Sequence, residues 1–550
     1  MLSATAAHHD RRALISHSST TRRQTLKLGL SGILAATLTL DARAQDAAVI
    51  EAEAVEGGAT QVDPANFSFD ALSAAMRNRA AAPYEAPADE LPENVRDLDY
   101  DSYRRILFRQ ESTVWGGEPG NFQLQAFFPG FLYRATTRLH VGDGTNFQLL
   151  AFTGADFEFL APLDPAAFEG LELPGVAGFR INAPIDRPDR FDEVVSFLGA
   201  SYFRALGRES RYGLSARGVA INTATAVAEE FPCFSAFYIV RPNPADGRIV
   251  LYAELDSPSL TGAYAFTIQP GSQTIIEVVK RLYFRAGVER LGIAPLTSMY
   301  HFGENDRGER ADFRPEVHDS DGLMIERFNG ERLWRPLKNP QELALSYFQE
   351  ASPRSFSLMQ RDRAFDNYQD VEARYEARPS LMIEPMSDWG RGVVQLVEIP
   401  TDSEANDNIV AFWVPEERPE AGSPFEFRYR MRWGFLQERQ AELAIVSDTY
   451  AGVGGNGAET GDNGFRRFEI NFAGGTASNL PLDAALDPVV DISPNSRIQH
   501  AGVSRLPDGG WRLSLELEKL DDAAAELRAK LSIAGRVVTE TWLYQWTGQI

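Results

Sequence analysis

At 550 residues, 44% hydrophobic and 24% charged, the chain exceeds what one core usually supports and is too apolar for wholesale disorder, so two or more globular domains are expected. The net charge is −23; residues 1–44 contribute +4, leaving −27 on the rest, a field that repels nucleic-acid phosphates and anionic lipid heads and leaves a neutral polymer as the better partner. With Cys233 as the one cysteine there is no internal disulfide, and stability must come from packing.

The first 44 residues read as an export signal. Arg22 and Arg23 form a twin-arginine pair, Leu28 to Leu40 is an apolar run, and Ala42-Arg43-Ala44 offers a small-residue cleavage site before Gln45. The run falls short of the ~20 residues a spanning helix needs, so a signal cleaved after Ala44 is expected rather than an anchor. No later segment approaches that length, which predicts no membrane insertion of the mature chain.

Residues 45–65 are small and polar and read as a linker. The runs FDALSAAMRNRA and DLDYDSYRRILF suggest two short helices, after which strand signals dominate: FQLQAFF, VVSFL, RIVLYAEL, AYAFTI, TIIEVVKRLYF and VVQLVEI. In FEFRYRMRW, Phe425, Phe427, Tyr429, Met431 and Trp433 alternate with charged residues, which predicts an antiparallel strand buried on one face. The Pro- and Glu-rich stretch before it marks a boundary at 414–423. A large β-sandwich over 66–413 and a smaller immunoglobulin-type sandwich over 424–550 follow, the latter carrying the alternating WRLSLEL and the terminal VVTETWLYQW.

Four histidines remain after the leader, His140, His301, His318 and His500, and none makes a paired zinc motif; the acidic run GENDRGERAD fails the spacing of a calcium loop. No metal is expected. There is no G-x-S-x-G elbow, and Cys233 lies between aromatics in FPCFSAF, the setting of an inert thiol. The glycine-rich run at 452–464 lacks the Lys-Ser/Thr of a phosphate loop, so no nucleotide cofactor is expected. Carboxylates among aromatics remain, and these suit glycosidic chemistry: one acid protonates the leaving oxygen and a second carboxylate drives water onto the anomeric carbon. HDSDG, ERLWRPL, QRDRAFDNYQD, RYEARPSL and SEANDNIVAFW are rich in such groups, although any one aspartate is as well explained by a solvated turn.

Several strings together resemble the periplasmic glucan biosynthesis proteins of types G and D. They include VVSFLGASYFRALG (194–207), YGLSARGVAI (212–221), LGIAPLTSMY (291–300), FRPEVHDSDGL (313–323), NYQDVEARYEARPSL (367–381) and VEIPTDSEANDNIVAFW (397–413), and the likeness covers nearly the whole mature chain. The twin-arginine leader leans towards type D. The resemblance implies an all-β fold, a large galactose-mutarotase-like sandwich followed by an immunoglobulin-like one, located in the periplasm. It implies action on β-1,2-glucan by an anomer-inverting endo-glucanase. The alternatives are an anomer-inverting transglycosylase that cyclises the same glucan and a non-catalytic glucan-binding partner of a membrane-bound glucan synthase.

Carried over residue by residue, the resemblance makes Asp407 of SEANDNIV the general acid and Asp319 of HDS the general base, the latter reaching water through a relay. Asp407 must then hold a proton near neutral pH, through partial burial or the nearness of Glu404, and Asp319 must stay ionised, helped by hydrogen bonds from His318 or the backbone. Tyr375 and Arg378 resemble substrate-gripping positions, Glu404 is a candidate for the proton path, and His318 reads as an orienting hydrogen-bonder. Trp334 reads as core, and Glu316 and Asp321 as turn residues.

Overall fold

A computed structural model describes residues 59–308, 310–436, 442–455, 464–481 and 483–547. The expected leader, most of the expected linker and the centre of the glycine-rich run at 456–463 lie outside the described residues. The first helix is Phe69–Ala80, opened by the Ser68 side chain, which accepts the Ala71 N–H. Its Leu72, Ala75 and Met76 pack on the outer face of a sheet beside Tyr238 and Tyr283.

Two sheets make the first sandwich. One has ten strands, among them Ser215–Arg217, Leu291–Ser298, Ile409–Pro415, Arg391–Glu398 and Ala344–Ala351, the last at an edge. The other has fifteen and runs through Gln273–Phe284 and Leu260–Gln269. Phe179, Phe203, Phe237, Phe266, Trp413 and Trp433 fill the space between them. All six apolar runs expected to be strands lie in strands.

The expected boundary needs correction. Pro424–Gly434, expected to open the second domain, is a central strand of the fifteen-stranded sheet, paired antiparallel with Gln273–Phe284 on one side and Ser380–Pro385 on the other. Its period of two is as expected: Phe427, Tyr429, Met431 and Trp433 are buried, but in the first core. On the solvent face its arginines pair across the ladder, Arg430 with Glu277 at 2.6 Å and Arg432 with Glu384 at 2.9 Å. Both hydrogen-bonding edges are used inside the first sandwich, so the chain leaves that sandwich after 434, one strand later than the Pro/Glu-rich turn suggests.

The second sandwich is a four-stranded sheet, Ile445–Val453, Phe465–Ala473, Trp511–Lys519 and Ser496–Arg505, facing Asp487–Ile492, Ala525–Ile533 and Thr541–Trp546. The latter three continue the fifteen-stranded sheet: Thr541–Trp546 runs parallel to Arg332–Pro336, with Leu333 opposite Thr541 and Trp334 opposite Trp542. Met324, Trp334 and Met359 of the larger unit therefore share a core with Phe468, Leu513, Leu515 and Trp542. Trp334 is core, as expected, with the Arg361 guanidinium 3.5 Å from its ring centroid. The all-β fold of two sandwiches is thus present, but as two cores on one continuous sheet rather than two bodies joined by a link.

Candidate active site

The site forms where the chain crosses from one sheet of the larger sandwich to the other. After the strand Leu291–Ser298, the Met299–Tyr300 segment receives two visitors distant in sequence. The Asp319 N–H donates to the Met299 carbonyl at 2.9 Å. Asn408, next to Asp407, accepts the Tyr300 N–H at 2.8 Å and donates to the Tyr300 carbonyl at 2.9 Å. Asp319 and Asp407, 88 residues apart in the chain, are thereby tethered to one dipeptide, close enough that the charge of Asp407 bears on the titration of Asp319. Asn339 pins the Asp407 loop from behind, donating to the Thr401 carbonyl at 2.7 Å and accepting the Thr401 N–H at 2.9 Å.

Asp319 is 6% exposed. Burial lifts its carboxyl above the ordinary aspartate value; Arg378, with Nη1 3.2 Å from Oδ1, opposes that rise, and Asp407 adds to it. Asp407 is half-buried and lies within the field of Arg217. Gly322 closes the HDSDG turn because a Cβ there would collide with the Trp334 indole.

Tyr375, Arg378 and Glu404 lie in one neighbourhood with Asp319. Tyr375 is 3% exposed and sits in a short 3-10 turn, Tyr375–Ala377, entered through Arg374 in the left-handed region. The Arg378 guanidinium lies 5.0 Å from the Tyr375 ring centroid, and the Tyr375 hydroxyl donates to Glu404 Oε2 at 3.4 Å. Burial raises the Tyr375 phenol far above its usual value, and the charges of Asp319 and Glu404 push the same way, so it remains a donor at every working pH. Glu404 is held by Arg314 at 2.7 Å, and Arg314 also grips Asp312 at 2.8 Å and Asp370 at 2.9 Å. One arginine thus ties together three loops at the rim.

His318 orients its surroundings, but not by the expected hydrogen bond to Asp319. The Gln360 amide donates to the His318 and Tyr375 carbonyls at 3.0 and 3.1 Å, which fixes its Oε1 to accept from His318 Nδ1 at 3.0 Å. Nε2 faces Glu316 Oε2 at 2.9 Å, so both ring nitrogens are committed and the ring reaches Asp319 only through its charge. The ring is fully buried, stacked on Tyr300 at 5.2 Å. Burial disfavours its protonation, but the Glu316 hydrogen bond and the charges of Glu316, Asp321 and Glu304 outweigh this and push it up to about 9. Glu316 and Asp321 are therefore more than turn residues. Asp321 accepts the backbone N–H groups of Arg361 and Asp362 at 2.8 and 2.9 Å and so fixes the loop that carries Gln360. Glu304, next in this network, accepts the Thr449 N–H at 3.0 Å from the smaller sandwich.

Sequence reasoning missed Arg217, Arg314 and Gln360. Arg217 is 2% exposed, paired with Glu229 at 2.7 Å, donating to Thr297 Oγ1 at 3.1 Å, and 4.9 Å from the Tyr202 ring centroid. A buried arginine inside an otherwise apolar string, LSARGVAI, was the available signal. Among the described residues no group of three or more His, Cys, Asp or Glu side chains could hold a metal ion, and no helix is long and apolar enough to cross a membrane. Cys233 is half-buried, its thiol pushed up by burial.

The family described as "Periplasmic glucan biosynthesis protein, MdoG" is matched over residues 67–546. A glucans biosynthesis protein G from Cereibacter sphaeroides is 48% identical over 549 residues, 99% of this chain and 98% of that one. Proteins of the same name from Rhodopseudomonas palustris and Pseudomonas entomophila are 44% and 43% identical, over 88% and 84% of this chain and 94% and 81% of theirs. These relatives carry the type G name, not the type D towards which the leader leans. A solved galactose mutarotase related enzyme from Lactobacillus acidophilus aligns at 9% identity over 47% of this chain and 91% of that one, with a TM-score of 0.20, too slight a likeness to establish kinship.

Proposed function

The chain belongs to the periplasmic glucan biosynthesis protein family, and from that premise we propose that it acts in the periplasm, after twin-arginine export and cleavage behind Ala44, as an anomer-inverting endo-β-1,2-glucanase. Asp407 is the general acid and Asp319 the general base. Asp407 gives its proton to the leaving glycosidic oxygen as that bond to the anomeric carbon breaks. Water attacks the opposite face, and its proton passes by relay to Asp319; solvent then restores both carboxyls.

The observation that carries the reading is the tethering of the Asp319 backbone, and of Asn408 next to Asp407, to the one dipeptide Met299–Tyr300. A base buried like Asp319 has greater proton affinity than an exposed aspartate, while Arg378 favours its ionised form. Tyr375, Arg378 and Glu404 are proposed to grip sugar hydroxyls at the rim of this pair. The burial of Asp319 limits direct access of bulk water, which is the one feature that favours the second reading, a transglycosylase in which a sugar hydroxyl replaces water and closes the glucan into a ring.

The test is Asp319→Asn and Asp407→Asn, each assayed on linear β-1,2-glucan. A loss of at least about a hundredfold in kcat is expected from either. Near-parental turnover by one of them removes that residue from the mechanism. Parental protein that binds the glucan but turns none over would make the chain a binding partner, for instance of a membrane-bound synthase.

A further inference from the structure

We propose that a pocket on the outer face of the ten-stranded sheet, lined by Gln395 and Tyr347, is a second carbohydrate-binding site that takes one glucosyl unit of a glucan chain. The ligand class rests on the glucan reading above; the pocket itself does not.

Ala344–Ala351, Arg391–Glu398 and Ile409–Pro415 lie side by side in that sheet. Val394, Leu396 and Ala411 turn inward to the core, whereas Val397, Val410 and Phe412 form a separate apolar cluster on the opposite face. Gln395 stands directly across from Tyr347 and Phe412, and directly opposed residues share a face, so its amide lies on this outer side. There it lines a cavity of about 260 Å³, bordered by Val393 and Val414 and roofed by Arg290 and the turn that begins at Glu416.

Gln395 is fully buried, yet neither its Nε2 nor its Oε1 has a hydrogen-bond partner. A buried amide with both ends unpaired is uncommon in a folded chain. It matches a ligand that offers donor and acceptor together, which a sugar hydroxyl does and a bare cation or anion does not. Tyr347, 53% exposed, supplies a flat aromatic face beside that amide, and the mixed charges of Arg290 and Glu416 select for a neutral guest. The volume lies below the ~300 to 1,000 Å³ of larger ligand sites, which suits a single ring.

The pocket is not the catalytic cleft. Asp407 precedes the strand Ile409–Pro415 and Val414 lies near its far end, about 23 Å away at ~3.3 Å per residue. A polymer anchored here and engaged at the cleft binds the second site intramolecularly, which raises affinity for long chains without touching short ones.

The experiment uses the whole protein and its Gln395→Leu and Tyr347→Ala variants. Binding of long linear β-1,2-glucan is measured by calorimetry in an Asp407→Asn background, and crystals of the parent are soaked with the β-1,2-linked glucose disaccharide. Each variant is expected to weaken glucan binding at least about tenfold with its melting temperature unchanged or raised, and a sugar ring is expected against Tyr347 within hydrogen-bonding distance of Gln395. Unchanged glucan affinity in both variants, with no sugar in the soaked pocket, would overturn the proposal. Should the parent cleave no glucan, the catalytic reading fails by itself, while the soaked pocket still decides this one.

Discussion

Removing the Arg378 guanidinium should strand Asp319 as a buried carboxylate that has lost its nearest cation. Their side chains are 11% and 9% exposed, and the closest N···O distance is 3.2 Å. At an effective dielectric of about 20 that attraction is about 5 kcal/mol, an upper bound equivalent to nearly 4 pKa units at ~1.36 kcal/mol each. Arg204 also favours the ionised form and remains in place, and water entering the vacated space screens the charge. A rise in the Asp319 pKa is therefore the expected result for Arg378→Gln. Burial already lifts this carboxyl, so the further rise carries it towards neutrality. In the proposed mechanism Asp319 works only when deprotonated. The acid limb of the kcat/KM profile on β-1,2-glucan should consequently move to higher pH, with activity recovering above the new limb. Arg378→Lys should restore most of the original profile. Arg378 also donates to the Ala373 carbonyl at 3.1 Å, so a purely structural role is the rival explanation. An acid limb that stays put while activity falls equally at every pH would refute the electrostatic reasoning.

His318 titrates near 9 in the fold against ~6.5 unfolded, so it contributes stability that is complete below about pH 6.5 and lost as pH rises through 9, about 3 kcal/mol in all. Urea unfolding at pH 6.5 and 9.5 should show this fall in the parent and little of it in Glu316→Gln, whose amide no longer holds the proton. Arg217→Met removes the guanidinium 2.7 Å from Glu229 and should cost about 3 to 5 kcal/mol in urea unfolding; adding Glu229→Gln should recover part of the loss, as for a buried pair broken from one side. Trp433→Ala empties a fully buried site in the central strand and should cost about 3 to 5 kcal/mol by the same measurement, whereas a strand belonging to the second sandwich alone would leave the larger core's unfolding unchanged.

How much was legible differs from element to element. The alternation in FEFRYRMRW revealed a one-face strand, because a period of two is local. Its partners, Gln273–Phe284 and Ser380–Pro385, were invisible, because pairing is decided by packing across 150 and 50 residues that no period records. The Pro/Glu-rich turn was real, but a turn interrupts a sheet as readily as it ends a domain. At the site, residue-level chemistry narrowed the choice to carboxylates and no further; separating Asp319 from Asp321 needed the family resemblance. The structure shows a difference between them: Asp321 spends both oxygens on backbone N–H groups, while Asp319 holds Oδ1 against Arg378. His318 was expected to orient by hydrogen bonds; its partners are Gln360 and Glu316, and the first of these lies 42 residues away in sequence.

The most direct measurement follows linear β-1,2-glucan with residues 45–550, reading products by mass spectrometry and the configuration of the first-formed reducing end by NMR. Inverting endo-hydrolysis predicts shorter linear chains whose new reducing ends appear first as the α-anomer. Rings lighter than a linear chain by one water, or new ends that appear first as the β-anomer, would contradict it.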